Sequence, residues 1–517
     1  MRPRSSEEPL SRNPIRSSSR AALAAALTTL MLAAIGPWAV AQESAEPDWS
    51  QYQGGAGHAG SLEDGPQPPF RVRWTLPAPA GEALSGAIVL GDVAVSVGSE
   101  AVYGVDVATG TVVWEIPRAG GPLSMPAAGQ ANGSPVLLYL EGPEASAAEP
   151  SPDASETPSP TPTASGSPGP ETVGPEVEEP ASFLVAVSPE GRAELWRVPL
   201  QAITRSGVTV DDATAYVGDQ AGHVVAVALE DGSVTWTAQV PGRVDAPVAV
   251  SDGRVYAVAR DRAAGQATVV ALDATTGERA WAVVPQATST AASAPSAGDG
   301  SVLVGAADRL MHSLAAQDGA ERWGALVLSF FSPATAPALA DGAVYAADLS
   351  GGLYRFDAAD GDRDWSFQLN EVVVRSAPVA SGPTILLGLN DGRLVAIDSG
   401  TGHLVWESEA TPGLVGTIAL GPDVVIAVKG GKDAGLIAFE HDDEGALLDL
   451  PSPTELETGT TLSRYGLAAT IVLIAALIPG IALRRRLGPA ALSSGEGDGE
   501  QDEVEDLDDA GDGVDGT

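Results

Sequence analysis

The stretch Ala271–Trp281 reads ALDATTGERAW, and Ala396–Trp406 reads AIDSGTGHLVW. The same cadence, an apolar run, a turn centred on Gly and a closing Trp, recurs at 104–114 (GVDVATGTVVW), 227–236 (VALEDGSVTW), 313–323 (SLAAQDGAERW) and 355–365 (RFDAADGDRDW). Working outward, eight tryptophans keep time: Trp74, Trp114, Trp196, Trp236, Trp281, Trp323, Trp365 and Trp406. Their spacings are 40, 82, 40, 45, 42, 42 and 41 residues. A period near forty, filled with short Val-rich runs broken by Asp-Gly and Thr-Gly, predicts antiparallel hairpins arranged as the blades of a β-propeller.

Each repeat parses into four strands. Residues 246–284 give APVAV, a turn at Asp252-Gly253, RVYAVAR, ATVVALDA, a turn at Thr276-Gly277, and ERAWAVV. Gly supplies the positive φ that such turns require. Asp106, Asp273, Asp357 and Asp398 precede turns whose amides they can accept. The first strand of each repeat is built of small residues, as expected where blades converge on an axis. Pro247, Pro295, Pro337 and Pro378 sit near its start, where a missing donor matters least.

The step of 82 residues holds one blade with an insertion. Its segment 143–180 is Pro, Ser, Thr and Glu with little that is apolar, so it is expected to be disordered. Seven blades end at Trp114 through Trp406. Residues 414–442 supply three further strands without a closing Trp, and 70–77 (FRVRWTLP) supply one strand with nothing before it. Joined, they complete an eighth blade and close the ring, which leaves no open sheet at its ends. The fold class expected is therefore all-β, an eight-bladed propeller of four-stranded antiparallel blades over 70–450.

Apolar segments flank the repeats. Arg12, Arg16 and Arg20 precede an apolar run ending Ala39-Val40-Ala41, which reads as a signal peptide over 1–41 cut between Ala41 and Gln42. An uncleaved anchor would leave the repeats on the same side. Residues 42–69 form an acidic lead and a Gly-rich capping segment, and 451–464 a stalk. The uncharged stretch 465–483 is long enough to cross ~30 Å of hydrocarbon as one transmembrane helix. Arg484, Arg485 and Arg486 follow it, which puts the tail 484–517 in the cytoplasm and the repeats outside, in type I topology at the cell membrane. The tail carries eleven acidic residues between Glu496 and Asp515.

A formal charge of −40 and only two lysines, Lys429 and Lys432, argue against nucleic acid as a partner. With no cysteine, thiolate metal sites, disulfides and lipidated Cys anchors are excluded. His58, His223, His312, His403 and His441 stand far apart and in no zinc-ligand spacing. Gly57, His58 and Gly60 read as part of the capping loop, and Asp211-Asp212 as a hairpin tip.

ALDATTGERAW, AIDSGTGHLVW and the opening DWSQYQGGAGHAG resemble the tryptophan-docking repeats, and the segment before them, of the PQQ-like (quinoprotein-type) β-propeller family. The resemblance covers roughly 49–442. It implies that each Trp packs against the neighbouring blade as a structural element. It also implies a divided function. Dehydrogenases of the family hold PQQ and Ca²⁺ in the axial funnel, use Asp, Glu and Asn there, and commonly place a Cys-Cys disulfide against the cofactor. Other members are non-catalytic docking scaffolds. No cysteine and no convincing inner-strand Glu/Asn/Asp set are present, so the expectation is a scaffold without cofactor or metal. Its partners would be a protein or cell-envelope component outside, and the lipid bilayer through one helix. A quinoprotein dehydrogenase of alcohols or sugars is the alternative.

Overall fold

The computed structural model describes residues 49–142 and 180–448, apart from 191, 287–288, 328–334, 370–375, 412 and 432. The cleavage pair Ala41–Gln42, the insertion from 143 to 179 and the apolar stretch 465–483 lie outside these residues. Among the described residues no helix is long and apolar enough to cross a membrane.

Eight antiparallel sheets make eight blades, each ordered from an inner to an outer strand. Blade one runs Leu84–Leu90, Val93–Gly98, Ala101–Asp106 and Val112–Pro117. Its second and third strands are buried on both faces (VAVSVG and AVYGVD), whereas the outer strand is largely exposed. That explains why the sequence shows unbroken apolar runs in mid-blade and polar residues around each Trp. A sheet covered on both faces needs no polar alternation.

Blade two pairs Ser134–Glu141 with Ser182–Val187, so the insertion joins its second and third strands. Blade eight is composite: Leu414–Leu420, Val425–Gly430 and Gly435–His441 are completed by Phe70–Pro77, with Phe70 opposite His441 and Pro77 opposite Gly435. Arg73 adds ion pairs to Glu440 and Asp423, both at 2.6 Å. The inner strand of blade eight packs on that of blade one, which closes the ring.

Two features exceed the four-strand plan. In blade four the inner strand is split at Pro247 into Arg243–Val244 and Ala249–Ser251, because proline has no N–H for the ladder. In blade seven a fifth strand, Ser61–Leu62, lies parallel to the inner strand with Ser61 opposite Ala380.

Turn chemistry sets the blade ends. Asp252, Asp299 and Asp341 have φ near +50° and are followed by Gly with φ near +70°, the two-residue hairpin geometry that matches sheet twist. Between third and fourth strands, Asp106 accepts the Thr109 amide at 2.8 Å, Asp273 that of Thr276 at 2.9 Å and Asp398 that of Thr401 at 2.7 Å.

Candidate functional site

A propeller offers its axis as the default site, so the residues that reach it decide what it can hold. On one face the chain itself does so. The carbonyls of Trp49 and Ser50 accept the amides of Val89 (3.0 Å) and Ala128 (2.8 Å), in blades one and two. The Gln51 amide clasps Val210 of blade three on both sides, at 2.7 and 2.9 Å. Ala56, Gly57, Ala59 and Gly60 then accept Val250, Ala297, Leu339 and Ala380, in blades four to seven, at 2.7 to 2.8 Å. Residues 49–60 thus circle the mouth in blade order before the chain enters blade eight. Gly57 is needed for this path: a Cβ there would stand 2.4 Å from the Ala297 carbonyl.

Two side chains of this cap fill the axis. Tyr52 packs with Ala246, Ala294 and Ala336, which lead into the inner strands of blades four, five and six, and with Met125. Its hydroxyl accepts the Ala336 amide at 3.0 Å, and burial pushes its pKa above the usual range. His58 is fully buried, edge-on to Tyr52 with centroids 5.0 Å apart. Its Nδ1 lies 3.0 Å from the Pro295 carbonyl, which requires the Nδ1–H tautomer. Burial, only partly offset by that carbonyl, lowers its pKa to about 4.

At the far mouth the inner strands present hydroxyls. Ser206, Ser293 and Ser376 accept the amides of Gly218, Gly305 and Gly388 at 2.7 to 3.0 Å, each twelve residues on. They clamp inner to second strands where the ladder ends. Two carboxylates near this mouth, Asp219 and Asp348, are engaged as well. Asp219 accepts the amides of Ala221 and His223 and holds the His223 ring at 2.8 Å. Asp348 accepts Ser350 and Gly352 amides and the Tyr354 hydroxyl. Among the described residues no group of three His, Asp or Glu side chains could hold a metal ion. Beside the cap the axis is occupied by Tyr52 and His58, with Ala246, Ala294 and Ala336 around the tyrosine.

The five histidines stay apart. His58 is in the cap, His223 pairs with Asp219 in blade three, and His312 sits between Asp308 and Glu321 in blade five. His403 lies in a turn, and His441 approaches the Gln67 carbonyl. Asp212 has the positive φ of a hairpin tip beside Asp211. The eight tryptophans lie on outer strands. Six of them (Trp74, Trp196, Trp236, Trp281, Trp323 and Trp365) donate their indole N–H to a carbonyl of the next blade, at 2.7 to 3.0 Å. Trp406 packs edge-on against Phe70 and Phe439 of blade eight. Trp114 belongs to the cluster shared with blade two.

Sequence reasoning expected a capping segment over 42–69 but missed Tyr52 as an axial residue and Gln51 as the clasp on blade three. The Gly-rich run with aromatic anchors was their only signal. It also missed the serine clamps, of which Ser293 and Ser376 carry the signal of Ser before Ala-Pro and Ser206 does not, and the charged trio Arg243, Asp245 and Arg260.

The family model described as outer membrane protein assembly factor BamB matches residues 181–296 and 265–427. No curated protein sequence matches the chain. Among solved structures, BamB from Moraxella catarrhalis aligns with TM-score 0.52 at 14% identity, over 72% of this chain and 99% of that one. A quinohemoprotein alcohol dehydrogenase from Pseudomonas putida aligns with TM-score 0.53 at 12% identity, over 80% and 84%. A europium-containing methanol dehydrogenase aligns with TM-score 0.54 at 13% identity, over 75% and 90%. At such identities the likeness is one of fold.

Proposed function

Because the repeats of this chain belong to the PQQ-like β-propeller family, we propose that the protein is a non-catalytic scaffold that docks a protein or cell-envelope component outside the cell membrane. The observation that carries this reading is the self-filled axis. Tyr52 and His58 fill the axis beside the cap, which supports recognition through the faces and loops of the ring. The match to the BamB description, with its printed role in outer membrane protein assembly, supports a protein partner. In this proposal 465–483 tethers the ring to the cell membrane as a single span, with 484–517 inside. A closed barrel, not one helix, suits an outer membrane.

The dehydrogenase reading draws on the quinohemoprotein and methanol dehydrogenase likenesses. The two are separated by titrating full-length, detergent-solubilised protein with PQQ and Ca²⁺. The scaffold reading expects no quinone absorbance to co-elute on gel filtration and no dye reduction with alcohols or sugars. Retained quinone with turnover would overturn it. Cross-linking in native membranes then identifies the docked neighbour.

A further inference from the structure

Blade four departs from its neighbours at the far mouth. Its second and third strands, Arg254–Asp261 and Gln266–Asp273, run to 8 residues each, against 5 and 6 in blade three. Ala246 stands where Ser206, Ser293 and Ser376 form clamps in other blades. The added length sets Arg260 directly opposite Arg243 in the antiparallel ladder. Directly opposed residues project to one side of a sheet, and like charges in that position repel.

Their environment sharpens the conflict. Arg260 is 4% exposed, and its one acceptor is the Ala292 carbonyl, 3.0 Å from Nη2. Its Nε and Nη1 are buried without a partner. Asp245, two residues beyond Arg243, is the carboxylate that acts on both. Its Oδ2 lies 2.6 Å from Arg243 Nε as an ion pair that lacks hydrogen-bond geometry, and its Oδ1 has no hydrogen-bond partner. Arg243 thus takes this carboxylate in its ion pair while Arg260 feels it only through space, leaving a net positive charge in a buried setting. Burial, the largest influence, lowers the Arg260 pKa to about 10, so it stays charged at neutral pH. A buried charge without compensation is costly, and a buried donor without an acceptor adds to that cost. Arg243 and Asp245 remain 28% and 21% exposed, which gives the cluster a route to solvent.

We infer that Arg243, Asp245 and Arg260 form a binding site for a small oxyanion that carries a neighbouring hydroxyl or ammonium group. The oxyanion accepts from the Arg260 Nε or Nη1 and lies between the two guanidiniums. The neighbouring donor meets Asp245 Oδ1. The site is independent of the scaffold reading, since neither Tyr52 nor His58 belongs to it.

The test measures thermal unfolding of full-length protein in detergent at constant ionic strength. Acetate, glycolate and inorganic phosphate replace sodium chloride in turn. A saturable rise in melting temperature is expected, with glycolate effective at lower concentration than acetate. A larger response to phosphate would assign the oxyanion to phosphate esters rather than carboxylates. Arg260→Met is expected to weaken the response at least tenfold while leaving the anion-free melting temperature unchanged or higher. Arg260→Lys, which keeps the charge, retains part of the response, and Arg262→Met, exposed in the same hairpin, keeps all of it. Equal responses from wild type and Arg260→Met would overturn the inference. So would the absence of any response combined with equal destabilisation by Asp245→Asn and Arg260→Met, which would mark an internal ion pair.

Discussion

Trp236 lies on Gly277 of the following blade, so close that a Cβ added to Gly277 would stand 2.7 Å from the indole. The indole N–H reaches past it to the Ala274 carbonyl at 2.9 Å. The pairs Trp74/Gly110, Trp196/Gly232, Trp281/Gly319, Trp323/Gly361 and Trp365/Gly402 repeat the contact at 2.5 to 2.7 Å, each glycine at positive φ. The turn glycine therefore serves twice. It permits the left-handed backbone and leaves room for the neighbour's ring. Gly277→Ala should destabilise by ~2–4 kcal/mol, combining the αL penalty with the displaced indole. Trp236→Ala should cost ~3–5 kcal/mol. Denaturant unfolding reads both; a neutral Gly277→Ala would contradict the double role.

Ring closure rests on Phe70–Pro77 pairing with Gly435–His441. Removing 70–77 exposes that strand's edge and strips Phe70 from Trp406. The deletion should lower the melting temperature sharply and promote association through the open edge. Calorimetry and light scattering test it; an unchanged transition would mean that blade eight stands without its outer strand.

The buried His58 makes the cap acid-sensitive. Its ordinary pKa of 6.5 falls to about 4 in the folded chain, so the unfolded chain binds the proton more readily. His58 then contributes no penalty above pH ~6.5, and stability is lost progressively as pH falls from there towards ~4, by ~3 kcal/mol in all. His58→Gln should flatten that part of the stability–pH curve. Identical slopes in variant and wild type would remove His58 as the cause.

Tyr52→Phe keeps the ring but leaves the Ala336 amide without its acceptor, at a cost of ~1–3 kcal/mol. Tyr52→Ala also opens a cavity at the axis and should cost ~3–5 kcal/mol. Equal effects of the two variants in urea melts would show that packing, not the hydrogen bond, is the smaller part.

Glu141 and Phe183 are register partners on adjacent strands, so a short turn can join them. Replacing 143–179 by a Gly-Ser linker should leave the melting temperature within a few degrees of wild type, since loop length changes closure entropy only slowly. A large loss would show that the insertion braces the ring.

The blades were legible because their signals are local. Asp252-Gly253, Thr276-Gly277 and Trp281 fall within one repeat, and each acts on residues a few positions away. The cap was legible only as a Gly-rich segment. Its partners Val89, Val210 and Ala380 are drawn from separate blades, and no periodicity links Gln51 to Val210, 159 residues on.

By itself the sequence determined the repeat, the strand and turn pattern within it, and the fragment at 70–77 that an eighth blade needs. Those follow from backbone sterics and apolar periodicity, which act over short spans. Only the tertiary structure decided that Tyr52 and His58 fill the axis beside the cap and that Arg243 stands opposite Arg260, with Asp245 paired to Arg243. Both depend on where eight inner strands converge and on one hairpin's added length. Convergence of that kind is a property of the closed ring and not of any segment in it.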